Sequence, residues 1–209
     1  CIYFKDIIIK VIVGTYKYII KKERKEDFQL FIYLLLSSFP IAIIGLFIKP
    51  IIESFFDNTA YVSIGFIITS IILLLNKFIK NNDVSSYTFK NTFITGLIQC
   101  FSIFPGISRS ATTLLGSKIA KLNNHKGKEF AFLLLIPISL GSTILSFFED
   151  KDILFAFSPI SFLYIISMLV SFIFTILSLK FIFKINQERY YSYYVIYLLL
   201  FAFLSLTFI

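Results

Sequence analysis

Long stretches without formal charge alternate with short charged segments along most of this chain. Phe31–Ile48 and Ile160–Leu179 contain no Lys, Arg, Asp or Glu, and a helix of about 20 such residues crosses the hydrocarbon core of a bilayer. The pattern predicts an N-terminal helical tail at Ile2–Ile20. It then predicts about five complete spans, in chain order Leu30–Ile48, Tyr61–Ile79, Glu129–Phe148, Ile160–Phe183 and Tyr193–Ile209. Kinks are expected at Pro40 and around Pro137 and Gly141.

The segment Thr92–Lys121 differs from the spans because Pro105 and Gly106 interrupt its apolar run. Each arm of about 13 residues reaches only ~20 Å, which is shorter than the ~30 Å hydrocarbon core. Lys90 and Lys118 flank the two ends, and basic flanks favour the cytoplasmic face for both. Residues 92–122 are therefore predicted to form a re-entrant helical hairpin whose tip lies near the middle of the membrane. Backbone at that depth must be buried in protein or face a watery cavity.

The composition fits one integral-membrane domain over residues 1–209. Hydrophobic residues make up 57% of the chain and charged residues only 15%, below the ~25% charged residues usual in soluble domains. The fold class predicted is therefore all-α and polytopic. The formal net charge is +8, but the Lys and Arg residues concentrate in alternate loops, while the loops between them hold only Lys49 and Lys151. Cytoplasmic loops of membrane proteins carry this excess, so no nucleic-acid partner is needed to explain it.

The candidate chemistry lies at the tip of the predicted hairpin, in the run Pro105–Ser110. Gly106 turns the backbone, and Ser108 can cap the second arm. The free N–H groups of that arm and the Arg109 guanidinium can then bind phosphate oxygens. Further hydroxyl or amide groups come from Ser110, Thr112, Thr113 and, on the polar face of the first arm, Gln99.

An arginine at the centre of a membrane helix costs ~2.5–3.5 kcal/mol on insertion scales, so we expect it to have a partner. Neither arm contains an acidic residue, which favours an anionic ligand. The alternative is structural, with Arg109 paired to Glu129 or to backbone carbonyls and with the hydroxyls satisfying helix backbone. For Gln99 packing and binding stay equally open.

These residues resemble the bacterial undecaprenyl-diphosphate phosphatases of the bacitracin-resistance type. The resemblance rests on Gly96, Gln99, the run Pro105–Thr113, the run Glu129–Leu134 and Pro137, and it covers nearly the whole chain. One departure is Ala111, where the family usually has glycine. The resemblance implies a multi-pass protein of the bacterial inner membrane. The expected reaction is hydrolysis of the terminal phosphate of a C55 polyprenyl diphosphate, which recycles the lipid carrier for cell-wall synthesis.

The resemblance also assigns roles. Arg109 and Ser108 are expected to be catalytic, Arg109 by binding the diphosphate; the substrate-binding set is Ser110, Thr112, Thr113, Gln99 and Gly106. Family members have two inverted repeats, each with a re-entrant hairpin, and this chain matches the second. The other hairpin carries paired glutamates, a serine and a histidine, with a divalent cation, Mg or Ca, assisting. Those residues are not found here, so no metal ligands are expected in the chain as given, and we expect it to be inactive alone.

Other functions stay open at this stage. Broken helices that meet near the membrane midplane are typical of transporters, so a polyprenyl-phosphate transporter or flippase is the main alternative. A structural or assembly subunit, with Arg109 as a tie between helices, is the second. A nucleic-acid binder would need a basic groove with stacking aromatics outside the membrane, and the loops are too short for one. The oligomeric state is not readable, and a homodimer is one open arrangement.

Overall fold

The computed structural model describes residues 4–56, 58–80, 83–149, 159–184 and 190–207. Within these ranges the chain forms nine α-helices and no β-strand, with a single isolated bridge between Val84 and Leu122. The helices are α1 Lys5–Lys21, α2 Lys25–Phe56, α3 Thr59–Phe78, α4 Phe89–Gln99, α5 Arg109–Ile119, α6 Asn124–Leu133, α7 Leu135–Glu149, α8 Pro159–Lys184 and α9 Tyr191–Thr207. The predicted all-α fold is confirmed.

Four helical stretches in the described ranges are long and apolar enough to cross a membrane: Lys25–Phe56, Thr59–Phe78, Asn124–Ser146 and Leu163–Phe181. The fifth predicted span corresponds to α9, which is apolar but has only 17 residues. It packs along α3, where the Ser192 hydroxyl accepts a hydrogen bond from Lys77 Nζ at 2.8 Å. The chain is thus a multi-pass membrane protein. Most of the predicted loops Glu149–Pro159 and Lys184–Ser192, with Lys151, lies outside the described residues.

Helix α2 is longer than its predicted span. The sequence pattern predicts a loop at Lys49–Ala60, and this prediction is wrong because α2 continues through Pro50 to Phe56. Proline fixes φ near the helical value and removes only one backbone donor, and Lys49 and Glu53 lie one turn apart, with 3.9 Å between Nζ and Oε1. The 32 residues of α2 span about 48 Å, more than the thickness of the hydrocarbon core.

The predicted distortion around Pro137 is present. Helix α6 ends at Leu133 and α7 begins at Leu135. The Pro137 ring excludes the carbonyl of the residue four positions earlier from normal helical bonding, and that residue is Leu133. The break therefore follows directly from the proline.

Polar side chains lie inside this fold, and apolar side chains cover its outside. Ser37, Ser63, Asn76, Thr95 and Gln99 are fully buried. In contrast, no residue of Leu163–Phe181 in α8 is buried. An apolar cluster of Phe4, Leu34, Phe130, Leu133 and Leu134 joins α1, α2 and α6. Apolar surfaces that face lipid and polar groups that pair internally are what a bilayer requires.

Candidate functional site

Helices α4 and α5 form a hairpin whose two ends return to the same side. The backbone N–H of Asn123, just after α5, donates to the carbonyl of Val84, just before α4, at 2.9 Å. Thr88 begins α4 through a reciprocal capping box with Asn91. A short 3-10 turn, Cys100–Ile103, ends the first arm. The base of this hairpin is therefore closed by backbone hydrogen bonding, and its re-entrant position in the membrane stays a prediction.

The tip of the hairpin is fixed to the middle of α3. The Thr69 hydroxyl donates to the Gly106 carbonyl at 2.8 Å and accepts from the Ser108 N–H at 3.0 Å. Gly106 has φ of +81°, a conformation that side chains other than glycine rarely adopt. Its neighbour on α3 is Gly65, where a Cβ atom would collide with the Pro105 carbonyl. Thr69 is the eleventh of the 20 residues of α3, so the tip lies beside the middle of this helix.

Three of the predicted ligand-binding side chains lie inside the hairpin. Thr113 Oγ1 is 3.0 Å from Gln99 Oε1 and 2.7 Å from the Arg109 carbonyl oxygen, and the Thr112 hydroxyl donates to the Ser108 carbonyl at 2.7 Å. All three residues are buried, and none lines a cavity described below. In this conformation they join the two arms and satisfy helix backbone, and their substrate-binding role stays a prediction.

Arg109 lines a cavity of about 610 Å³ that we call the tip cavity. Its walls are the half of α2 from Ser38 onward, the hairpin tip from Ser102 to Ile107, and α7 from Pro137 to Leu145. The lining is mostly apolar, and its cationic side chains are Arg109 and Lys49. No carboxylate is among the described residues that line it.

The Arg109 side chain is only partly exposed. Within the described ranges no hydrogen bond or ion pair joins its guanidinium to another residue. Neither pairing of the structural alternative, with Glu129 or with backbone carbonyls, is found among the described residues. Glu129 instead accepts hydrogen bonds from Lys126 Nζ at 2.9 Å and from the Tyr87 hydroxyl at 2.8 Å. An arginine so placed can bind an anion that enters the tip cavity.

The serines of the motif face the opposite side of the tip. Ser108 and Ser110 line a second cavity of about 520 Å³, the tyrosine cavity, between α3, α5 and α9, where Tyr191, Tyr194 and Tyr197 contribute. Ser108 caps α5, with its Oγ 3.4 Å from the Ala111 N–H. Successive helical residues are about 100° apart, so Arg109 and its neighbouring serines point to different cavities. Gly106 borders both cavities.

The sequence analysis missed the residues of α3 that hold the second arm. Asn76 donates from Nδ2 to the Ala111 carbonyl at 3.0 Å, and Lys118 donates from Nζ to the Asn76 carbonyl at 2.6 Å. Lys118 is buried, although the sequence analysis gives it as a basic flank of the hairpin on the cytoplasmic face. One pattern in the sequence could have indicated this contact. Thr69 and Asn76 are polar residues two turns apart, and therefore on the same face, of an otherwise apolar span.

A second polar region, the base pocket, lies at the other end of the hairpin. It has a volume of about 440 Å³ and is bordered by α1, the start of α2, residues 85–87 and α6. Asp27 lies 3.6 Å from Lys10 Nζ and 3.8 Å from Arg24 Nη1. Burial raises the pKa of the Tyr87 hydroxyl well above its ordinary value, and the charge and hydrogen bond of Glu129 raise it further. Two separate groups of paired charges line this pocket, one around Asp27 and one around Glu129.

The comparisons with known proteins agree on one family. The family model described as "Bacitracin resistance protein BacA" matches residues 1–204. The "Undecaprenyl-diphosphatase" of Oceanobacillus iheyensis is 31% identical over 204 residues, which cover 92% of this chain and 72% of that protein. The protein of the same name from Thermosipho melanesiensis is 34% identical over 198 residues, covering 93% of this chain and 76% of the relative. The chain therefore belongs to the bacitracin resistance protein BacA family.

Proposed function

We propose that this protein is an undecaprenyl-diphosphate phosphatase of the bacterial inner membrane. The observation that carries the proposal is the Arg109 guanidinium, which lines a mostly apolar cavity and has no hydrogen-bond or ion-pair partner among the described residues. A lipid diphosphate has the complementary chemistry, an anionic head on an apolar tail. Two relatives that bear the name of this activity match more than nine-tenths of the chain.

In the proposed reaction water attacks the terminal phosphorus and the anhydride P–O bond breaks. The bridging oxygen leaves with the electron pair as part of the lipid monophosphate, and inorganic phosphate is the second product. Arg109 holds the diphosphate and neutralises charge that develops on its oxygens. Ser108 caps α5 so that the positive end of this helix lies at the tip. Gly106 allows the sharp turn that brings these groups together.

The tip cavity supports access from the outer face of the membrane. Its α2 wall starts at Ser38 and continues to Phe56, away from the end of α2 that contacts the base pocket. The predicted topology puts the basic loops near the base pocket in the cytoplasm. A substrate head that enters the tip cavity then comes from the opposite side. Self-association as a homodimer stays a prediction, which cross-linking in native membranes would test.

The divalent cation implied by the family resemblance does not fit the residues described. No group of three His, Cys, Asp or Glu side chains in the described ranges could hold a metal ion. The described lining of the tip cavity also offers no carboxylate. The proposed reaction therefore contains no step on the cation. Its identity, Mg or Ca, stays a prediction.

The test is hydrolysis of undecaprenyl diphosphate by the full-length protein and its Arg109 variants. We expect Arg109→Ala to lower kcat/KM by at least about 100-fold, because removal of one preorganised charge donor costs this much in comparable sites. Arg109→Lys should retain part of the activity, since it keeps the charge but loses the bidentate fork. Lys49→Ala, at the outer end of the same cavity, is the matched control and should have a smaller effect. Activity of Arg109→Ala equal to the wild type would contradict the proposal.

A lipid transporter remains the second candidate, because α5 begins at the hairpin tip with its N-terminal residue Arg109 at the cavity. Reconstituted vesicles separate the two functions. A transporter would move a non-hydrolysable polyprenyl diphosphate analogue between leaflets, whereas a phosphatase would bind it without moving it. Measured translocation that depends on Arg109 would favour the transporter.

A further inference from the structure

Two glycines of the tip cavity have no neighbours where their side chains would be. Gly45 in α2 and Gly141 in α7 both line the cavity, and an added Cβ atom at either position would meet no heavy atom within 4 Å. At Gly65, Gly96 and Gly116, by contrast, an added Cβ would press against the backbone of a neighbouring helix or of the tip. Close packing therefore explains those three glycines and leaves Gly45 and Gly141 unexplained.

Neither glycine is needed for its backbone conformation. Both lie inside helices and have negative φ, since Gly106 alone among the described glycines has positive φ. Glycine is a poorer helix former than alanine at such positions. What glycine provides here is space, and that space is continuous with the cavity that contains Arg109.

The walls around the two glycines are apolar. On α2 they are formed by Ile41, Ala42 and Leu46, and on α7 by Ile138 and Leu145. The guanidinium of Arg109 supplies a cation in the same cavity. One cavity thus has a cationic group for an anionic head and an apolar passage for a hydrocarbon chain.

From this arrangement we propose that Gly45 and Gly141 keep open a tail channel between α2 and α7. The isoprene units that follow the first one pass through this channel, on the way from the diphosphate at Arg109 toward the lipid. The proposal rests on the proposed function and adds the residues that select a prenyl chain. The tip cavity, at about 610 Å³, has the size of an ordinary small-ligand site, so the remainder of a long chain must lie in the bilayer.

The experiment adds bulk to the channel and measures binding separately for head and tail. The probes are two non-hydrolysable methylenebisphosphonates, one carrying a long polyprenyl chain and the other only a dimethylallyl group. Binding is measured by calorimetry on the full-length protein in detergent. Gly45→Leu and Gly141→Leu fill the channel, and the corresponding alanine variants fill it less. Ser54→Leu in α2 and Thr143→Leu in α7 are matched controls, because both residues are exposed and neither lines the cavity.

We expect each glycine-to-leucine variant to weaken binding of the long-chain probe by at least roughly tenfold. Binding of the dimethylallyl probe should stay within about twofold of the wild type, because the site at Arg109 is untouched. The alanine variants should fall between, and the controls should behave like the wild type. With undecaprenyl diphosphate as substrate, KM should rise while kcat changes little.

Three results would overturn the channel. The first is unchanged long-chain binding in both leucine variants. The second is an equal loss of both probes in variants that retain the wild-type melting temperature, which would assign the glycines to the head site. The third is an equal loss in the Ser54→Leu and Thr143→Leu controls, which would mean that bulk anywhere on these helices is disruptive. If the wild type binds neither probe, the proposed function fails together with the channel, and this outcome is distinct from the other three.

Discussion

The charged side chains at the two ends of the hairpin differ in whether they have partners of opposite charge. At the base, Glu129 is held by Lys126 and Tyr87, and Asp27 lies between Lys10 and Arg24. At the tip, Arg109 has no such partner among the described residues. A charge withdrawn from water is costly unless it is paired. The contrast teaches that the charges at the base are paired within the fold, whereas the Arg109 charge at the tip has no counter-charge among the described residues, as the proposed anion site requires.

Substitution of Glu129 should give the largest stability effect and tests the base directly. We expect Glu129→Leu to lower the free energy of unfolding by about 2 kcal/mol, because the buried Tyr87 hydroxyl and Lys126 lose their acceptor. Chemical unfolding in detergent, followed by circular dichroism, measures this change. The matched control is Glu53→Leu, since Glu53 is exposed and its pair with Lys49 is loose. An equal loss of unfolding free energy in the two variants would show that the Glu129 interactions stabilise the fold no more than an exposed ion pair does.

Tyr87→Phe should have a smaller effect of the same sign. The loss expected is about 1.5 kcal/mol, the lower end of the net contribution of a hydrogen bond to a charged group. The double variant with Glu129→Leu should then cost less than the sum of the single variants, because the two side chains share one bond. Strict additivity would show that Tyr87 and Glu129 act independently.

Substitution of Arg109 should leave stability unchanged or improve it. Arg109→Leu removes an unpaired charge from a mostly apolar cavity, so the melting temperature should not fall. The same variant should lose lipid-diphosphate binding. A large drop in melting temperature would instead make Arg109 a structural tie and would break the comparison between the two ends.

The smallest effect expected is a loss of stability at alkaline pH that arises from Tyr87 at the base of the hairpin. The pKa of Tyr87 is raised above its ordinary value of 10.0 by burial and by Glu129. The unfolded chain therefore loses this proton first, and the stabilising contribution is complete below pH ~10 and declines above it. The loss of melting temperature between pH 9 and 11 should be smaller in Tyr87→Phe than in the wild type. An identical alkaline slope would exclude this group as the cause.

Much of the fold could be predicted because its signals are local. Pro105–Gly106 and the basic flanks marked the hairpin, and Pro137 marked the break between α6 and α7. The end of α2 was missed because Pro50 and the charged pair Lys49–Glu53 resemble a loop, although each is compatible with a helix. Whether a helix leaves the hydrocarbon core and continues depends on its neighbours, which the pattern of one segment does not contain.

The site was less predictable than the fold. The motif correctly indicated Arg109 as a cation without an acidic partner in its own hairpin. It did not indicate that Ser108 and Ser110 point to another cavity, or that Thr113 pairs with Gln99 inside the hairpin. These facts depend on how α5 is rotated against α2 and α3. Gly45 and Gly141 belong to no recognisable motif. The empty space beside them depends on how α2 and α7 pack and cannot be seen in the sequence.

One hydroxyl on α3 sets where along that helix the turn at the hairpin tip lies. Thr69 holds the turn from both sides, through the Gly106 carbonyl and the Ser108 N–H. Ten helical steps separate Thr69 from Thr59 at the start of α3, a rise of about 15 Å, or half of the hydrocarbon thickness. The number of α3 residues before Thr69 therefore determines how far along the helix the turn is held. Insertion or removal of a residue between Thr59 and Thr69 would shift the turn relative to the start of α3. It would also rotate the Thr69 hydroxyl away from the turn.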